Sequence, residues 1–225
     1  MNGDGILYGI SVWAIPVIFA ITFHEAAHGF VAHRLGDDTA WRLGRVTLNP
    51  IKHIDPFGTI ILPALFILSG SAIKFGYAKP VPVNFGALNN PKRDMIWVAA
   101  AGPAANMLMA LAAGFADHAV PLLPAGLGMW VEENLANMIV LNVILAVFNM
   151  IPLPPLDGGR VAVGLLPRPL AIPFARLERF GMLILITVIL IVPYATQGRV
   201  NVVASIITRP VAFIYQLVLT LTGNA

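Results

Sequence analysis

Between Ile6 and Ala20 the chain carries no charged side chain, and this run leads directly into His24-Glu25-Ala26-Ala27-His28. Comparable uncharged runs occupy Met95–Phe115 and Asn134–Ile151, another spans about Phe180–Ala195, and a last one, Val200–Leu221, is interrupted by Arg209-Pro210. A helix that crosses the hydrocarbon core needs about 20 apolar residues. Inside lipid every backbone N–H and C=O must find a partner within the protein, which leaves only helices and closed barrels. The runs here are continuous rather than alternating, so the spans are helices. Composition agrees: 58% of residues are hydrophobic and 11% charged, where soluble domains carry about 25% charged. The reading is an all-α polytopic membrane protein with about five to six transmembrane helices. It forms one membrane-embedded domain over residues 1–225, with a core at about 6–160 and C-terminal helices at about 178–222. The apolar stretch after Met1 has no basic region before it and runs into the histidine motif, unlike a signal peptide.

Four residues on an α-helix advance about 400° and about 6 Å. His24 and His28 therefore share a face, with their imidazoles near enough to grip one metal ion. Glu25 lies about 100° round the helix, placed to reach a water at that metal rather than to ligate it. Two neutral imidazoles on Zn²⁺ with a carboxylate as base is the arrangement of zinc hydrolases. Ionisable groups inside a membrane span are costly and point to function. Cysteine is absent, which excludes disulfides and thiolate metal sites.

A catalytic zinc takes three protein ligands and keeps a fourth position open. His33 faces away from His24, and Val31 and Arg34 stand where a metzincin extension needs Gly and His. No glutamate occurs between Glu25 and Glu132. Asp37, Asp38, Asp55, Asp94, Asp117, His53 and His118 lie in polar stretches where solvation accounts for them. Asp157 differs: it sits between a proline-broken span, Pro152-Leu153-Pro154-Pro155, and Gly158-Gly159. The prolines free backbone groups and the glycines permit close approach. A helix N-cap is the alternative role for Asp157, compatible with ligation.

These motifs resemble the site-2 protease family of intramembrane zinc metalloproteases, in a minimal form. His24-Glu25-Ala26-Ala27-His28 matches the family's zinc motif, and Asn149 through Gly159 matches its Asn…Pro…Leu-Asp-Gly motif. Gly102-Pro103-Ala104-Ala105-Asn106 is similar to the signature of the intervening helix, and Tyr77–Val83 to the extended segment that precedes that helix in bacterial members. The resemblance implies His24, His28 and Asp157 as ligands of one Zn²⁺ per chain, Glu25 as base, and Asn149 at the substrate or the developing oxyanion. The substrate-binding set is Lys79, Val81 and Val83 on the extended segment, together with Asn106. The loop near Asp117–Glu133 is too short for the PDZ domain of larger members, and no soluble domain is expected after the last span.

Shared metal ligation puts the C-terminal ends of the first and third core spans at one depth, so those spans are parallel with one crossing between them. Residues 56–88 then form a re-entrant element with an extended or β segment between the first and second core helices. Within it, Pro80 and Pro82 remove donors from one side of an edge strand, leaving the N–H groups of Val81 and Val83 to pair with an unwound substrate. Arg34–Arg93 and Arg160–Arg179 fall on one side, and Asp117, Glu132 and Glu133 on the other. The positive-inside rule makes the first side cytoplasmic. The expected setting is a bacterial inner membrane, with an external N-terminus and the site toward the cytoplasm. Expected partners are the bilayer, a transmembrane protein substrate and an accessory membrane protein that the sequence does not identify. Nucleic acid is excluded, because no basic run is interleaved with aromatics. The rival function is a membrane metal transporter or sensor using the same His/His/Asp site.

Overall fold

The computed structural model describes residues 3–61 and 79–225. Within them the chain is helical, and no strand forms. Helix α1 spans Gly3–Arg34, α2 Pro91–Asp117 and α3 Ala125–Asn149. The short helices α4, Asp157–Leu165, and α5, Arg168–Ala175, follow. Then come α6, Glu178–Ala195, with a π-helical stretch at Thr187–Ile191, and α7, Val202–Thr222. Of these, α1, α2, α3, α6 and α7 are long and apolar enough to cross a membrane. Their outer faces carry large apolar side chains such as Leu7, Ile10, Leu108, Phe115, Leu183 and Phe213. A water-soluble surface of this kind would be an aggregation site; a lipid-facing one is stable.

Helix α2 is the hub, packed on α1, α3 and α4. Its buried positions Ala99, Gly102, Pro103, Asn106, Ala110, Ala113 and Gly114 form a stripe of small residues. Lipid tails are as apolar as leucine, so helix association in a bilayer depends on close backbone approach, which small residues permit. Of the most apolar window, 39% is buried in α2 but only 11% in α6 and 6% in α7. The first three spans are therefore the packed core. The N-terminus of α2 is built as a cap: Pro91 occupies its first position, and the buried Asp94 carboxylate accepts from the Asn90 N–H at 2.7 Å.

Helices α1 and α3 run parallel, with α2 antiparallel between them, because His24 and His28 meet the segment that follows the C-terminal end of α3. Helix α7 runs parallel to α2. Its C-terminal end locks onto the C-terminal end of α2, where His118 Nε2 donates to Thr222 O at 2.6 Å and Asn224 Nδ2 donates to Gly114 O at 2.7 Å. Its N-terminal half, at Ile206, Ile207 and Pro210, faces Met150–Pro152 across an apolar cavity of about 610 Å³.

Three expectations change in detail. The acidic loop is shorter than the sequence suggests: α3 begins at Ala125, so Glu132 and Glu133 ride on a helix. Asp157 is the first residue of α4 and not its cap; Leu156 holds the cap position and no side chain caps the helix. Solvation does not account for Asp37, Asp94 or His53, all of which are buried. Of the re-entrant element, Pro56–Ile61 form a π-helical turn, residues 79–84 take no regular secondary structure and form no strand, and residues 62–78, including Ala78 and most of Thr59–Leu68, lie outside the described residues.

Candidate metal centre

Helix periodicity delivers His24 and His28 to one face of α1, as their spacing requires, with imidazole centroids 4.7 Å apart. Room for both rings comes from α2: a Cβ at Gly102 would collide with His24 and His28 together. The loop after α3 turns tightly because Gly158 and Gly159 lie against the backbone of Met150–Pro154, where no Cβ fits. That turn swings Asp157 under the histidines.

Three atoms converge. His24 Nε2 lies 3.1 Å from His28 Nε2, and Asp157 Oδ2 lies 3.3 Å and 3.4 Å from them. His24 Nδ1 faces Asn106 Oδ1 at 2.6 Å, and His28 Nδ1 faces the Val98 carbonyl at 2.7 Å. Amide and carbonyl oxygens only accept, so each Nδ1 carries the proton and each Nε2 presents a lone pair. Asp157 Oδ2 is buried and accepts no hydrogen bond. Three mutually facing lone pairs repel unless a cation sits among them. Zn–N and Zn–O bonds of about 2.0–2.2 Å in tetrahedral geometry separate ligand atoms by about 3.3 Å, which is the spacing found. The donor set, two imidazoles and one carboxylate, suits Zn²⁺. No other such group of three occurs among the described residues.

The site opens into a cavity of about 170 Å³ whose walls include Glu25, Val81, Val83, Phe85, Asn149 and Arg160. Glu25 is half-buried, and its Oε2 accepts from the Val81 N–H at 2.7 Å. This differs from the expectation that the Val81 N–H stands open for substrate. No hydrogen bond to the Val83 N–H forms among the described residues. Asn149 lines the cavity while donating to Leu145 O at 3.1 Å. Lys79 is exposed away from the cavity; its N–H donates to His53 O at 3.0 Å. Asn106 is fully buried behind His24 rather than on the cavity wall.

Several participants escape the sequence reading. Arg45 Nη2 donates to the Lys79 carbonyl at 2.9 Å, and Asp37 Oδ2 accepts from the Asn84 N–H at 2.6 Å, so residues 79–84 are strapped at both ends. Arg160 stacks on the Phe85 ring at 4.8 Å and pairs with Glu178 at 3.1 Å. Nothing in a linear motif marks Arg45 or Asp37; only the fold brings them to the strap. His33 pairs with Asp38 at 2.7 Å and stacks on Trp41, away from the site.

Comparison with known proteins agrees with this geometry. The profile of Peptidase family M50 matches residues 126–192. A Bacillus subtilis (strain 168) protein bearing the name "Putative zinc metalloprotease YwhC" is 38% identical over 174 residues, which is 76% of each chain. A Mycolicibacterium smegmatis protein, "Putative zinc metalloprotease Rip2", is 32% identical over 78% of this chain and 65% of its own length. No solved structure matches.

Proposed function

The chain belongs to peptidase family M50, the site-2 protease family, and is a membrane-embedded zinc metalloprotease; from that premise we propose the part that each residue plays. His24, His28 and Asp157 hold the Zn²⁺. The observation that carries this is the triangle of lone pairs closed by an Asp157 Oδ2 that no donor reaches. When bound, the metal acidifies the attacking water and polarises the scissile carbonyl. Glu25 takes the water proton on its carboxylate and returns it to the leaving amine, for which it is held at the cavity wall by the Val81 N–H. Asn149 turns an amide N–H toward the developing oxyanion, and its position on the same wall supports this. The narrow cavity admits an extended backbone but not a helix, so a transmembrane substrate unwinds before cleavage. An unwound backbone needs partners at several kcal/mol for each group left unpaired in lipid, and Val83 offers its N–H.

A metal-transit site makes no use of a carboxylate anchored beside the ligands without ligating, so the position of Glu25 favours hydrolysis over transport. Substrates are membrane proteins. The metal end faces the cytoplasm, because Arg34, Arg45, Arg93, Arg160 and Arg179 cluster there while Asp117 and Glu132 lie opposite. The bacterial relatives support a bacterial cell membrane, and the continuous packing of α1–α4 supports a single domain.

The test is metal content beside cleavage of a membrane-protein substrate. Purified protein is expected to carry about one zinc per chain. Replacement of His24, His28 or Asp157 by Ala lowers occupancy and abolishes cleavage, while Glu25→Gln keeps the zinc and loses about 10²–10⁴-fold in rate. Full zinc retention in Asp157→Ala removes it from the ligand set.

A further inference from the structure

Behind His24 a run of buried amides crosses from α1 through α2 to α3. Asn106 and Asn142 are both fully buried. Asn106 Oδ1 meets His24 Nδ1, while its Nδ2 donates to Ala20 O at 3.2 Å and to Asn142 Oδ1 at 2.8 Å. Asn142 Nδ2 in turn donates to Met138 O at 2.8 Å. A carboxamide is nearly symmetric in shape, and only its partners decide which end is oxygen. Both outer partners of this run are backbone carbonyls, which can only accept. Met138 O therefore fixes Asn142 with its oxygen toward Asn106. Asn142 and Ala20 O together fix Asn106 with its oxygen toward His24. The imidazole is left one arrangement: N–H on Nδ1, lone pair on Nε2.

We propose that Asn142, an α3 residue with no contact to the metal or the cavity, is a positioning residue for the metal centre: acting through Asn106, it sets the orientation of His24. This rests on His24 being a zinc ligand. Loss of such an outer partner typically costs 10–100-fold in metal affinity. Ala20 O remains to orient Asn106, so the loss expected here is about tenfold, at the low end of that range.

The experiment measures zinc affinity by competition with a chromophoric chelator, and the visible absorption of the cobalt-substituted protein, in detergent-solubilised full chain. Helicity by circular dichroism serves as the folding control. Asn142→Leu removes the acceptor for Asn106 and is expected to weaken zinc about tenfold and to alter the cobalt band. Asn142→Ala is carried alongside, so that one of the two reports if leucine is not accommodated. Parent-like affinity and band in Asn142→Leu or Asn142→Ala overturn the proposal. Failure of the ligand assignment looks different: the parent itself then binds no zinc, or His24→Ala binds it unchanged.

Discussion

The Val81 N–H and the Glu25 carboxylate meet at 2.7 Å, joining a backbone donor of the strap to the side chain next to His24. One contact thus fixes the proposed base and the strap to each other. Backbone donation survives most substitutions at Val81 but not proline, which has no N–H. Val81→Pro should lower the cleavage rate at least about tenfold with zinc content unchanged, and Val81→Ala should stay near the parent. Val83→Pro should act on substrate affinity instead, because its N–H has no partner among the described residues. Parent-like cleavage by both proline variants would remove the strap from the mechanism. Steady-state kinetics on a transmembrane substrate, with metal analysis of the same preparations, checks this.

Arg45 should matter to activity without touching the cavity. Its guanidinium holds the Lys79 carbonyl, and one of its nitrogens, Nε, is buried without a partner. Arg45→Met keeps the aliphatic stem and removes the hydrogen bonds. The expected result is about a tenfold loss of cleavage, zinc retained, and faster proteolytic nicking at residues 79–84. Unchanged nicking would show that Asp37 and the His53 carbonyl hold the strap alone.

Gly102 makes a sharper test of packing. An added Cβ there would overlap both imidazoles, whereas one at Gly126 meets nothing. Gly102→Ala should therefore weaken zinc about tenfold or more by displacing its ligands, and Gly126→Ala should be neutral. Equal zinc affinity in the two variants would mean that α1 and α2 separate freely at this point.

The candidate ligand set is legible in the sequence for a physical reason: i, i+4 spacing on a helix determines geometry locally, and prolines followed by Gly-Gly around Asp157 mark a chain forced into a close turn. The orienting groups are not legible. Asn106 and His24 are separated by 82 positions and Asn142 lies a further 36 along, so their meeting depends on how α1, α2 and α3 rotate against one another. Asp37 and Arg45 look like solvated residues because charge in a polar stretch usually is; that they are buried follows from the strap folding over them. Helix α5 was likewise hidden, since its prolines weaken the local signal for a helix.

The clasp between α2 and α7 has a consequence for counting passages through the bilayer. Thr222 lies at the end away from the metal, so Val202 lies at the metal end. Helix α6 also starts at the metal end, with Gly181 against Pro154 and Pro155. The segment between α6 and α7 is a compact turn, closed by hydrogen bonds from the N–H of Gly198 to Pro193 O and of Arg199 to Thr196 O. Both ends of α6 then lie toward the metal end, although its length and hydropathy alone would let it traverse. Arg199 then joins the other arginines on the metal side. Because the chain has no cysteine, single cysteines at Gln197 and Asn90 should label from one side and a cysteine at Gly126 from the other; labelling of Gln197 together with Gly126 would make α6 a full crossing.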